Sequence, residues 1–199
     1  MPFQVSAILL AAGSSRRMGR LKQLLSLGSK TVIRHCLDTL LLSGIKDIVM
    51  VVGVGGEEIV NAVYGLPVRV ARNPDPESEM AESVRVGLRA VNTESSGIIV
   101  CLSDHPLVKA ETLVTLIQKH REDHERIIVP QLNGRKGHPT LFPRPVIVEI
   151  FDGLTLRDIV HRTPARIREV DVPDEGILFD MDTIPDYQRT REKFMDSGH

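Results

Sequence analysis

The sequence predicts a doubly wound α/β fold, a mostly parallel sheet with helices on both faces. Two observations carry that expectation: short apolar runs alternate with segments of helical periodicity, and chemistry-bearing residues gather just after the apolar runs. A third is size: 199 residues, 42% hydrophobic and 26% charged, suffice for one core, so residues 1–199 are read as a single domain.

The elements follow in order. Residues 5–10 form an apolar run ended by Ala11-Ala12-Gly13, a strand buried on both faces and then a tight loop. Thr31 is placed to cap a helix over 32–42, whose apolar residues share one face, and Gly44 ends it. Residues 48–52 read as a strand, 57–64 as a short helix, 68–71 as a strand, 82–91 as a helix, 98–102 as a strand, 110–121 as a helix and 127–129 as a strand. Parallel strands need such helical crossovers. Between 131 and 145 the pattern breaks, because Asn133-Gly134 and three prolines exclude a helix; a hairpin or ordered loop is expected there. Helices near 146–151 and 156–162, strands near 168–172 and 177–179, and a last helix from about Pro185 complete the chain.

The balance of 25 Lys+Arg against 26 Asp+Glu argues against a general nucleic-acid binder. No apolar run approaches the roughly 20 residues of a membrane span. No signal-peptide pattern opens the chain, and Cys36 and Cys101 sit singly in apolar runs, so a reduced, soluble, cytoplasmic protein is expected, with no membrane partner. Charge is distributed unevenly. Residues 1–37 contain no acid but hold Arg16, Arg17, Arg20, Lys22, Lys30 and Arg34, whereas 169–188 contain no base but seven acids. Each run is ordinary as a solvated face, and acquires interest only from the residues embedded in it.

Ligands of open α/β sheets bind beyond the carboxyl ends of the strands, which selects the loops 12–22, 53–58, 73–83, 103–106 and 180–183. In the first, Leu10, Ala11, Ala12, Gly13, Ser14, Ser15 and Arg16 give small residues, hydroxyls and a guanidinium group after a buried strand. Backbone N–H groups of such a loop can approach phosphate oxygens, and Arg17 and Lys22 supply charge where it moves during phosphoryl transfer. The loop lacks the Gly-Lys-Ser/Thr of a Walker motif. Gly53-Val54-Gly55-Gly56-Glu57-Glu58 approximates a dinucleotide fingerprint but fails at Glu58, so it reads as a flexible turn. Asp104, at the end of the 98–102 strand, is a candidate magnesium ligand, with Asp180 and Asp182 as second acids on one side of an extended segment. Each acid also fits a helix or turn cap. Asn73 and the stretch from Ser78 to Ser83 offer amide and hydroxyl donors to a base or ribose; His138, with Gly137, is balanced between a ligand-facing and a packing role, and His105 between metal support and packing. His35, His120, His124 and His161 lack partners at useful spacing.

Residues 10–25 resemble the LAAGxSxRMGxxKxLL signature of the small nucleotidyltransferases of molybdenum cofactor maturation, most closely the cytidylyltransferase branch. Residues 102–106 are similar to that family's Asp-Gln-Pro segment, 134–142 to its GxxGHPxLF segment and 180–187 to its DIDTPEDY segment. The resemblance implies a Rossmann-like nucleotidyltransferase fold, with residues 12–19 on the nucleotide phosphates, Arg17 and Lys22 at the transferring charge, and Asp104 with Asp182 or Asp180 on Mg2+. It implies transfer of CMP from CTP to the phosphate of a molybdopterin-type cofactor with release of pyrophosphate, and a molybdoenzyme or chaperone as receiving partner. Ala11-Ala12-Gly13, in place of the guanylyl branch's Gly-Gly, sets CTP above GTP. The chain departs from the pattern at Glu79-Met80-Ala81-Glu82-Ser83, where two extra acids would repel an anionic acceptor, at His105 in place of Gln, and at Ile184. Another phosphorylated acceptor, such as a sugar phosphate, and a non-catalytic nucleotide or cofactor carrier are the alternatives; an NAD-dependent oxidoreductase stands third.

Overall fold

A computed structural model describes residues 3–13, 19 and 21–196. In chain order the elements are β1 (Val5–Ala11), β2 (Ser26–Leu27), β3 (Lys30–Thr31), α1 (Val32–Leu42), β4 (Asp47–Val52), α2 (Glu57–Ala62), β5 (Arg69–Arg72), α3 (Met80–Ala90), β6 (Gly97–Leu102), α4 (Ala110–Glu122), β7 (Ile127–Leu132), β8 (Arg135–Lys136), β9 (Thr140–Pro143), α5 (Arg144–Ile147), α6 (Leu156–Arg162), β10 (Ile167–Asp171) and α7 (Ile184–Asp196).

The main sheet runs β10-β7-β9-β6-β1-β4-β5, with β8 paired to β7. β1 lies parallel between β4 and β6, aligning Leu9 with Met50 and with Cys101. Period-two alternation then sorts the side chains to opposite faces. Leu9, Met50, Val52, Ile99 and Cys101 pack with α1, α2 and α4, whereas Ile8, Leu10, Val49, Val51, Ile98 and Val100 pack with α3, α5 and α6. A smaller cluster joins Leu25, Leu27 and Val32 to Met181 and Phe194, seating α7 against the β2–β3 hairpin. The sheet is mostly parallel with helices on both faces, the expected fold class. No helix among the described residues is long and apolar enough to cross a membrane.

Three expectations are corrected. The hairpin expected within 131–145 is present, β7 pairing with β8 around Asn133-Gly134, but the segment also contains β9, a buried antiparallel strand inserted between β6 and β7. Its apolar run is only a few residues long and is bracketed by prolines, which lack an N–H and are accepted where no ladder donor is required. Residues 177–179 are not a strand: Glu175–Leu178 form a 3-10 turn, held by the Asp174 carboxylate accepting from Gly176 N at 2.9 Å. A Cβ at Gly176 would stand 2.1 Å from Leu107 O, so this close crossing of backbones requires glycine. The helix expected at 146–151 divides into α5 and a 3-10 turn, Val148–Asp152, closed by Gly153 at φ 85°. Thr31 does occupy the N-cap of α1, but its hydroxyl is buried without a partner and makes no cap bond. α4 is capped from a distance: Asp174 accepts from Lys109 N at 2.9 Å and from Thr112 Oγ1 at 2.6 Å.

Candidate nucleotide site

The chain order reverses on either side of β1, and the carboxyl ends of β6, β1, β4 and β5 meet there. A cavity of about 330 Å³ opens at that edge, bounded by residues 10–13, 21–23, 53–56 and 102–104 and by Asn73, Asp75, Pro76, Ser78, Met80 and Ser83. Ser14, Ser15, Arg16 and Arg17 lie outside the described residues. Among the described residues, Leu10, Ala11, Ala12, Gly13, Lys22, Asn73, Ser83 and Asp104 are brought to this one cavity.

At one end, the Lys22 ammonium lies between two carboxylates, 2.6 Å from Asp104 Oδ2 and 2.9 Å from Asp182 Oδ1. Burial alone would lower the Lys22 pKa, but the two carboxylates outweigh it and hold the value above the ordinary one, so the ammonium stays charged. Three elements distant in sequence supply this group. Lys22 opens the 3-10 turn Lys22–Leu24, Asp104 follows β6, and Asp182 precedes α7. Asp182 is positioned by its neighbours: Met181 is wholly buried, and Thr183 and Asp186 bond reciprocally in a capping box, Thr183 N donating to Asp186 Oδ2 at 2.7 Å and Asp186 N to Thr183 Oγ1 at 3.3 Å. Tyr187 Oη donates to Ser26 O at 2.6 Å, tying α7 to the hairpin that follows Lys22.

Among the described residues Asp104 Oδ1 is buried and has no hydrogen-bond partner, His105 Nε2 standing 3.7 Å away, a costly state for a carboxylate oxygen without a further ligand. Such an oxygen, with the half-exposed Asp182 carboxylate beside it, suits a hard divalent cation. Among the described residues no three His, Cys, Asp or Glu side chains form a metal cage. Two carboxylates fit a divalent cation that completes its shell with phosphate oxygens and water.

Asp180 shares His105 and His138 with Asp104, the charge of each carboxylate acting on both rings. It is exposed and borders a second cavity of about 390 Å³, beyond the carboxyl end of β7, together with Asn133, Arg135, Asp186 and Arg189. His138 and Gly137 do not line the nucleotide cavity. His138 is an exposed residue whose ring meets that of His105 edge-on at 5.3 Å; desolvation of its packed face, with His105 beside it, lowers its pKa. His105 is likewise lowered by burial, against the opposing field of Asp104. A Cβ on Gly137 would stand 2.4 Å from Ile177 O, so close backbone packing accounts for the glycine.

Glu82 is paired with Arg85 at 3.1 Å and Arg89 at 3.3 Å, and neither it nor Glu79 lines the cavity. Residues 53–56, set aside as a fingerprint, form part of the wall. A Cβ on Gly53 would approach Ala12 O to 3.1 Å, so the glycine lets the two loops touch. The strand-end rule had already selected this loop, whereas motif spacing had not. Gln23, within the 10–25 signature, and Ser78 and Met80, within the 78–83 stretch expected near a base or ribose, also line the cavity.

Known proteins agree with this geometry. Residues 7–166 match the model of the MobA-like NTP transferase domain. The nicotine blue oxidoreductase of Paenarthrobacter nicotinovorans is 28% identical over 93% of this chain and 95% of its own, and the molybdenum cofactor cytidylyltransferase of Escherichia coli 24% identical over 96% and 97%. Among solved structures, Rv0371c from Mycobacterium tuberculosis superposes with a TM-score of 0.85 at 32% identity, covering 96% of this chain and 99% of that one. The same mycobacterial protein in complex with manganese gives 0.80 at 28%, covering 95% and 98%. With a Rossmann-like sheet, a cavity at its switch point and a family match over most of its length, the chain belongs to the MobA-like NTP transferase family and is a nucleotidyltransferase.

Proposed function

We propose that the protein transfers CMP from CTP to the phosphate of a molybdopterin-type cofactor, releasing pyrophosphate, in the cytoplasm and with residues 1–199 acting as one domain. The observation that carries this reading is the Lys22 ammonium held between Asp104 and Asp182 at the end of the nucleotide cavity. An acceptor phosphate oxygen attacks the α-phosphorus of CTP in line; a P–O bond forms, the α–β P–O bond breaks, and its electron pair leaves on pyrophosphate. Lys22 neutralises negative charge that shifts toward the leaving group, and the small residues 11–13 admit backbone N–H groups to the phosphates. Asp104 and Asp182 would hold a magnesium ion, which would supply further charge neutralisation at the phosphates.

The second cavity, lined by Arg135 and Arg189 but also by Glu175, Asp180 and Asp186, with Arg189 paired to Asp186, does not by itself select an anionic acceptor. Pairing of Glu82 with two arginines removes the expected obstacle to such an acceptor. The similarity to the Escherichia coli cytidylyltransferase and the Ala11-Ala12-Gly13 sequence support CTP and the pterin. A second reading, oxidoreductase chemistry, is favoured only by the name of the Paenarthrobacter relative.

Pyrophosphate release from CTP, GTP, ATP and UTP with magnesium, with and without a molybdopterin acceptor and a panel of sugar phosphates, tests the proposal. Release from CTP only with the pterin is expected. Release with another acceptor replaces the substrate, nucleotide binding without release makes the protein a carrier, and consumption of NADPH without release selects the second reading.

A further inference from the structure

His138 is an exposed residue on a fixed piece of backbone. Its backbone N–H donates to Ile177 O at 3.0 Å, and that of Gly137 donates to Pro130 O at 2.9 Å, so the segment leading into β9 is held from two sides. Among the described residues the His138 ring makes no hydrogen bond; it meets His105 edge-on, the two rings inclined at 63°. His105 Nε2 stands 3.7 Å from Asp104 Oδ1, and the charges of Asp104 and Asp180 reach both rings. Asp104, His105, His138 and Asp180 therefore form a row. It starts at the nucleotide cavity, which Asp104 lines, and ends at the second cavity, which Asp180 lines.

The proposed reaction needs such a link. In-line attack requires an acceptor phosphate oxygen within about 3–3.5 Å of the α-phosphorus, beside Lys22 and Asp104. The rest of the acceptor lies outside the nucleotide cavity, and the second cavity, of about 390 Å³, has room for a ring system. Its charges oppose one another, Arg135 and Arg189 against Glu175, Asp180 and Asp186, and Phe179 adds an aromatic face. Such a lining suits a neutral polar ring rather than a phosphate. The acceptor phosphate then lies along the row, where it needs a hydrogen-bond donor. Two members of the row are carboxylates and cannot donate, and the His105 side chain is only 8% exposed. His138 supplies the donor. An imidazole carries an N–H whether neutral or protonated, so this capacity does not depend on titration.

We infer that His138 binds the acceptor, its ring N–H donating to a non-attacking oxygen of the acceptor phosphate while the acceptor's ring occupies the second cavity. This rests on the proposed transfer to a phosphorylated acceptor. The bond leaves another phosphate oxygen free to attack the α-phosphorus. It is made to the acceptor alone, so it sets the acceptor KM and leaves nucleotide affinity untouched.

The experiment is pyrophosphate release with magnesium and CTP by the wild type, His138→Phe, His138→Ala and His138→Gln. The molybdopterin acceptor and, separately, sugar phosphates are titrated, and CTP binding is followed by calorimetry. Phe keeps a planar ring against His105 without an N–H; Gln keeps an N–H donor without the ring. His138→Phe and His138→Ala are expected to raise the acceptor KM about tenfold or more, the factor that one hydrogen bond to a charged group commonly provides. The Kd of CTP stays unchanged, and His138→Gln recovers most of the loss. If one of the first two variants does not fold, the other still decides. A purely structural role would weaken CTP binding as well and would not be rescued by Gln; that result overturns the inference, as does a constant acceptor KM in all variants. The same split with a sugar phosphate in place of the pterin supports the inference and replaces the proposed acceptor. No turnover with any acceptor removes the proposed transfer and the inference with it, whereas wild-type turnover of the pterin with no response to His138 removes the inference alone.

Discussion

Lys22 acts through its charge and its place between two acids. Replacing it with Met, which keeps the stem, removes the ammonium from between Asp104 and Asp182. Turnover is expected to fall about 100-fold or more, as on loss of other groups that stabilise transferring charge, with a much smaller change in KM for the nucleotide. The affinity for Mn2+ without nucleotide should rise, because two carboxylates are released from the ammonium; titration by electron paramagnetic resonance measures it. A lower Mn2+ affinity would show that the acids do not take the cation. Asp104→Ala should abolish turnover while circular dichroism stays unchanged. A second residue-scale effect lies far from the cavity. The His120 ring is buried beside Phe3 and close to Gly97, and burial lowers its pKa to about 4. The unfolded chain takes up this proton near pH 6.5. Stability is thus fully present above pH 6.5 and declines as pH falls toward 4, by about 3 kcal/mol in all. His120→Phe should flatten this decline in urea midpoints taken at pH 7 and 5; equal declines in both proteins would place the acid sensitivity elsewhere.

At the scale of elements, the small α7 cluster connects fold to site. Phe194, 5% exposed, packs with Leu25, Leu27 and Met181, and so secures the segments on either side of Lys22 and Asp182. Phe194→Ala is expected to cost about 3–5 kcal/mol in urea unfolding. It should also lower turnover at temperatures where the protein remains folded, whereas full turnover would mean that α7 does not position Asp182. The capping box at Thr183 and Asp186 was legible in the sequence as part of a motif, because its partners are three residues apart. The Asp174 cap of α4 was not, since its acceptor and donors are brought together from more than 60 residues apart. β9 was missed for a related reason: four residues between prolines carry too little periodicity, and the pairing with β6 that makes them a strand is non-local.

For the molecule as a whole, ligand binding adds to stability by mass action. CTP with magnesium at 100 times its Kd should stabilise the native state by about 2.7 kcal/mol. A chain of this size then unfolds about 5–10 °C higher, measured by scanning calorimetry. GTP and UTP at equal concentration should give smaller shifts; equal shifts for all nucleotides would remove the base preference.

The sequence by itself determined the alternation of strands and helices, the loop after β1, and the candidacy of Lys22, Asp104 and Asp182, because periodicity, strand-end position and residue chemistry are local properties. It left Asp180 and Asp182 equivalent and assigned Asn73 and Ser83 no direction of hydrogen bonding. It also set aside the glycines of 53–56. Only the tertiary structure decided these points: it turned Asp182 to Lys22 and Asp180 to the second cavity, brought Gly53 against Ala12, and gave Asn73 three partners that fix its amide. The physical reason is common to all three. Which lone pair or proton faces a ligand depends on groups that fold next to it from distant parts of the chain, and no local pattern records them.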